Sequence, residues 1–206
     1  MEHKLHKVIA DCINRTNLPN CRIIRDPACG GHQNIPLFYS NIQSRKTRYS
    51  IVDILILKNN KIKVIIEIEE SDVTPVRICG KFLTSALSSH FIHESEKNIP
   101  IEMDKSATFI QILDSSRLKK GSSKIDQWNY LKESINSILP MKDSRILKYK
   151  LLYGKTKDFS DNKCKKLTKW IREALKWHPL SIKNFTIIVY KEFLLNLIEL
   201  KEKRLF

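Results

Sequence analysis

The stretch 51–71, IVDILILKNNKIKVIIEIEES, constrains the fold more than any other part of the chain. It consists of two apolar, β-branched runs separated by Lys58-Asn59-Asn60-Lys61. Asn tolerates the positive φ that a tight hairpin turn requires, so the segment predicts a β-hairpin. Alternation puts Val52, Ile54 and Ile56 on one face of the first strand, with Ile51, Asp53, Leu55 and Leu57 on the other. In the second strand Val64, Ile66 and Ile68 oppose Ile65, Glu67 and Glu69. Folded back on itself, the hairpin points Asp53, Glu67 and Glu69 into one space. β-Branched residues on both faces mark strands that are covered on both sides. A carboxylate there needs a partner, a metal ion or a proton. Three hard oxygen donors with no Cys or His among them suit Mg2+ or Mn2+. The alternative is a strand whose acids simply face water.

An acid on one strand, a hairpin turn, then Glu67-Ile68-Glu69 resembles the PD-(D/E)xK nuclease core of type II restriction endonucleases and related DNA-cutting enzymes. Asp53 and Glu67 match the two acids of that pattern. Glu69 stands where Lys is usual, as in some restriction enzymes, and Ser50-Ile51-Val52 stands where the loosely kept Pro falls. The resemblance spans about residues 1–115. It implies an α/β fold with a mixed central β-sheet flanked by helices. It also implies Mg2+-dependent hydrolysis of double-stranded DNA, with Mn2+ as a substitute and Asp53, Glu67 and Glu69 as metal ligands and catalytic groups. An acid on the first helix often joins the metal site in this family, which brings in Glu2; the alternative is an acid that favours the helix N-terminus. Lys81 resembles the lysine of family members in which that residue has migrated to the following helix, provided the helix N-terminus overhangs the acids.

At 206 residues the chain can bury one substantial core, so a single domain is expected. Its 37 Lys and Arg against 22 Asp and Glu leave a formal charge of +15. That excess points to a polyanion, nucleic acid before membrane, although a general Lys-, Ile- and Asn-rich bias produces the same balance. The start, MEHKLHKV, has no apolar core of a signal peptide, and no apolar run approaches membrane-spanning length. Five Cys without a CxxC pair suit a reducing, cytoplasmic location and free thiols. Cys29-Gly-Gly-His32 offers one half of a zinc site with no second half in view.

Apolar periodicity predicts a helix over 2–16, strands over 21–26 and 35–39, and a loop at 27–34 whose His32 and Gln33 lie near Arg22 and Arg25. The basic run 44–49, with Arg45, Lys46 and Arg48, precedes the Asp53 strand and is a candidate DNA contact. Thr74 and Pro75 suit the cap and first position of a helix over 74–94. Its expected stripe is Val76, Cys79, Leu83, Ala86, Leu87, His90 and Phe91, with Arg77 and Lys81 opposite. A third central strand over 107–113 and a helix over 124–139 follow. From 141 on the chain reads as helical and basic, with 17 Lys and Arg against 7 Asp and Glu. Helix 162–178 carries Lys165, Lys166 and Lys169 as further DNA-binding candidates. A strand over 187–190 and a last helix over 192–203, equally suited to a dimer interface, complete the reading. The expectation is one nuclease domain, its core at about 1–115 and a basic, mostly helical region at about 120–206. A sequence-specific type II restriction endonuclease would act as a homodimer, one active site per strand. A structure-directed junction or repair nuclease, or a non-catalytic DNA-binding module, are the alternatives.

Overall fold

The computed structural model describes residues 3–71, 73–92 and 98–176. In chain order they form α1 (Lys4–Asn14), β1 (Cys21–Arg25), β2 (Ile35–Phe38), β3 (Arg48–Val52), β4 (Ile54–Lys58), β5 (Lys61–Glu69), α2 (Pro75–Ala86), β6 (His90–Ile92), β7 (Pro100–Asp114), α3 (Lys124–Ser137), β8 (Ile146–Gly154) and α4 (Asn162–Lys176). The fold is mixed α/β: the eight strands join in the order β1-β4-β5-β7-β6-β2-β3, with β8 also paired to β7. The described residues up to Leu175 belong to one compact unit.

The hairpin forms as its residues dictate. Asn59 and Asn60 both take positive φ, 52° and 54°, between Lys58 and its partner Lys61. From β5 the chain crosses through α2 to β7, which runs parallel to β5; a second crossover through α3 lays β8 parallel to β7. The carboxyl ends of β5, β7 and β8 therefore share one edge. The sheet is covered on both faces, as β-branched strands require. Leu55, Ile65, Phe109 and Tyr149 pack with Ile78 and Phe82 of α2 and Trp128 of α3. Ile54, Ile66 and Ile110 pack with Ile9 and Ile13 of α1 and Leu167 and Ile171 of α4. Each such side chain contributes about 1.5–3 kcal/mol on burial.

The 15-residue β7 serves two ladders. Its first residues pair with β6, and the rest run between β5 and β8. Register shifts at Ile62/Val64 and Ala107/Thr108 mark the change. There Lys63 Nζ lies 2.9 Å from Asp104 Oδ2 and 3.2 Å from Ser106 Oγ, all three residues buried. Irregular backbone leaves polar groups unmatched, and this cluster supplies partners for them.

Several expectations are corrected. Residues 51–57 are not one strand: β3 ends at Val52, β4 starts at Ile54, and Asp53 sits at the bend between them. α2 stops at Ala86, and His90 and Phe91 belong to β6, because pairing with β2 and β7 outweighs the helical spacing. The buried face of α2 is Ile78, Phe82, Ser85 and Ala86, while Val76, Leu83 and Leu87 are exposed. The region after 141 is not wholly helical, since β8 extends the sheet. Cys12 and Cys164 are joined in a disulfide that ties α1 to α4, against the expectation of free thiols; 152 residues separate them, so no local spacing signals the pair. Glu2, strand 187–190 and helix 192–203 lie outside the described residues. Among the described residues no helix is long and apolar enough to cross a membrane.

Candidate functional site

Glu67 and Glu69 stand two residues apart near the carboxyl end of β5, on the face that α2 covers. Both are almost fully buried, at 2% and 1% exposure. α2 is aimed at them by its own sequence: Thr74 Oγ1 accepts from the Arg77 N–H, and Pro75 occupies the first turn. Arg77 and Lys81, one turn apart, then reach the two carboxylates. Arg77 Nε lies 2.6 Å from Glu69 Oε2, and the Lys81 ammonium pairs with Glu67 Oε1 while donating to the Ile51 carbonyl at 3.2 Å. The condition for Lys81 to reach the acids is met. Arg77 was legible only as the residue one turn before it.

Each glutamate keeps one oxygen with no hydrogen-bond partner, Glu67 Oε2 and Glu69 Oε1. Burial first, then the Asp53 charge, hold Glu67 well above the ordinary carboxylate range, against the pull of Lys81. Burial also raises Glu69, with Arg77 and Lys81 opposing. For Lys81, burial disfavours the charge, but Glu67 outweighs it and the ammonium is held more firmly than usual. Gln111, opposite Glu67 in the β5–β7 ladder, accepts from the Tyr149 hydroxyl at 2.8 Å and leaves its amide nitrogen unpartnered.

Asp53 profits from its place at the bend. Free of strand alternation, its Oδ2 accepts from the Ile68 N–H at 2.6 Å, which ties it to β5 between the two glutamates. Its carbonyl accepts from the Asp26 N–H at 2.9 Å, which ties down the 27–34 loop. In that loop a Cβ on Gly31 would stand 1.7 Å from the Arg25 carbonyl oxygen, so only glycine fits. The loop borders a pocket of about 490 Å3 lined by Arg22, Arg25, His32 and Gln33. Cys29 is buried and His32 exposed, and the two join no ligand cluster among the described residues. Burial raises the Cys29 thiol pKa, which makes it a poor ligand.

On the α1 side, His6 Nε2 lies 3.7 Å from Asp53 Oδ1, and Glu70 faces both His3 and His6. Burial lowers the His6 pKa, but Asp53 and Glu70 outweigh it and the net direction is up. His3, His6 and Glu70 were missed from the sequence. The available signal was two histidines three residues apart at the start of α1, His3 in its cap position, and a third acid directly after Glu69.

The structure thus brings Asp53, Glu67, Glu69 and Lys81 to one end of β5. Among the described residues the ligand atoms that converge within 4.8 Å are those of His3, His6 and Glu70, and the three predicted acids do not close into so tight a group. The unpartnered oxygens of Glu67 and Glu69 and the all-oxygen donor set nevertheless fit a hard cation. Arg45, Lys46 and Arg48 are exposed on the 40–48 segment, which Ser44 and Thr47 brace by exchanging side chain–backbone hydrogen bonds of 3.0 and 3.1 Å. Beside them the half-exposed Tyr39 and Tyr49 rings stand 5.1 Å apart. Lys165, Lys166 and Lys169 are exposed on α4, and the Lys166 ammonium lies 5.1 Å from the Trp170 ring centroid.

No protein-family model matches the chain, no curated protein matches its sequence, and no solved structure matches it.

Proposed function

We propose that the protein is a metal-dependent DNA endonuclease, acting as a sequence-specific type II restriction enzyme. The observation that carries this reading is the pair of buried glutamates at the carboxyl end of a parallel strand, each with one uncommitted oxygen and one cation from α2. Asp53, Glu67 and Glu69 would hold Mg2+ or Mn2+. Such an ion, when bound, lowers the pKa of a water, orients it and offsets charge on the phosphate. Glu69 occupies the position where the resembled family carries Lys, and its Oε1, which no hydrogen bond engages, is the atom that would orient the attacking water. The firmly protonated Lys81 offsets the negative charge that develops on the phosphate. Asp53 is held in place by the Ile68 N–H on Oδ2, while its Oδ1 faces His6.

Double-stranded DNA as the partner is supported by the +15 charge and by two exposed basic surfaces. One joins Arg45, Lys46 and Arg48 to Tyr39 and Tyr49; the other is Lys165, Lys166 and Lys169 on α4. Exposed Val76, Leu83 and Leu87 on α2 supply apolar surface for a homodimer. The occupied ion pairs of Glu67 and Glu69 favour a second reading, a DNA-binding module without catalysis. Digestion of a supercoiled plasmid in Mg2+, Mn2+ or EDTA separates the two. Discrete fragments with metal, lost in Glu67→Gln, are expected. DNA binding with no cleavage in either metal refutes the nuclease, and cutting confined to branched substrates replaces the restriction enzyme with a junction or repair nuclease.

A further inference from the structure

We propose that His3, His6 and Glu70 form a binding site for a divalent transition-metal ion of the zinc class, separate from the oxygen-only set of Asp53, Glu67 and Glu69. His3 Nδ1 and His6 Nδ1 lie 3.3 and 3.5 Å from the same Glu70 oxygen, Oε2. One donor atom from each residue lies within 4.8 Å of the others. Donors held at about 2.0–2.1 Å from a tetrahedral ion stand about 3.3–3.4 Å apart, close to the two histidine–glutamate separations. The same spacing is long for N–H···O hydrogen bonds, which centre near 2.9–3.0 Å.

A second, independent observation is the state of His6. The residue is 6% exposed, and its Nδ1 makes no hydrogen bond although it points at Glu70. Its Nε2 faces Asp53 Oδ1 at 3.7 Å. One ring nitrogen toward an ion and the other toward a carboxylate is how ligating imidazoles are oriented. Glu70 is divided in the same way. Its Oε1 caps α1 by accepting the N–H of Leu5 and, at 3.4 Å, of His6, which leaves Oε2 for the imidazoles. Two imidazoles and one carboxylate favour zinc-like ions over Mg2+, and three protein ligands leave a fourth position for water. A bound ion would pin the start of α1 to the end of β5 and set the His6 ring against Asp53. The site does not depend on the nuclease reading.

The competing account is that the two imidazoles pair with Glu70 without an ion, and metal titration distinguishes the two. The full chain, with its disulfide intact and free of chelator, is titrated with Zn2+ by calorimetry and with Co2+ by visible absorption. The expected result is one Zn2+ per chain and Co2+ ligand-field bands without thiolate charge transfer. His3→Ala, at a half-exposed position that leaves the core untouched, should lower affinity by more than the roughly 10–100-fold typical of losing a supporting residue. Glu69→Gln should leave affinity unchanged. Absence of stoichiometric Zn2+ binding, equal affinity in His3→Ala, loss of binding in Glu69→Gln, or a cobalt–thiolate spectrum would each overturn the proposal.

Discussion

Replacing Lys81 by Met keeps the length of the side chain and removes the ammonium that meets Glu67. Glu67 is 2% exposed, with Oε1 on Lys81 and Oε2 on nothing. Removing one partner of a buried pair costs about 3–5 kcal/mol. The Lys81 side chain is 31% exposed, so water screens its half of the pair and brings the cost to about 2–3 kcal/mol. The cost depends on pH because Glu67 can keep its proton. An unfolded glutamate titrates at about 4.3. The folded group titrates higher, so between the two values the native chain holds one more proton than the unfolded chain. Stability then falls by about 1.4 kcal/mol per pH unit, until the pH passes the folded value and the loss is complete. Without Lys81 the folded value rises further, and the loss continues to higher pH. Urea unfolding followed by tryptophan fluorescence, in EDTA from pH 5 to pH 8, should show the two proteins close together at the acid end. They should separate progressively as the pH rises, by up to about 2–3 kcal/mol. In a Glu67→Gln background the same replacement should cost little at any pH. A separation that is the same at every pH, or that survives in the Glu67→Gln background, would refute the coupling.

Neutralising Lys165, Lys166 and Lys169 together should flatten the log–log salt dependence of DNA binding by up to about 0.9 per lysine, and an unchanged slope would take α4 off the DNA surface. Thr74→Ala should destabilise the fold by about 0.5–2 kcal/mol through loss of the α2 cap, and should lower cleavage as well because Arg77 and Lys81 ride on that helix. Thermal unfolding and plasmid digestion of the one variant check both effects. Cys12→Ala/Cys164→Ala should lose about 2–4 kcal/mol in chemical unfolding, since the link closes a loop spanning most of the chain. A variant as stable as the parent would mean that α1 and α4 hold together through their packing alone.

The hairpin, the Thr74-Pro75 start of α2 and the strands around the 27–34 loop could be read from the sequence because each rests on local chemistry: Asn in positive φ, a cap, a run of β-branched residues. β8 could not. Ile146, Tyr149, Leu151 and Leu152 suit a helix or a strand, and Lys148 and Lys150 gave the segment the look of its basic neighbours; pairing with β7 decides. The buried face of α2 was read only in part, Ala86 and Cys79 rightly and Val76, Leu83 and Leu87 wrongly, because the helix has apolar residues on two faces. The face turned inward is the one that delivers Arg77 and Lys81 to buried carboxylates, a demand set by β5 and invisible in the helix itself. The acids were found by their spacing. The His3–His6–Glu70 group was not, because it unites residues more than 60 positions apart along the chain.

Besides the longer connections through the 27–34 loop and α2, two short direct links join the two ladders, one at the bend of Asp53 and one along β7 near Lys63, Asp104 and Ser106. A plate joined to its neighbour at one point can swivel; joined at two, it cannot turn without breaking one of the joints. One of those joints is held by a buried ion pair and the other by the hydrogen bond from Ile68 to Asp53. The basic 44–48 turn is carried on one plate, Glu67 and Glu69 on the other, and Asp53 is itself the hinge pin. The spacing between the surface that would grip a strand and the groups that would cut it is therefore set by the covalent frame, before any substrate arrives.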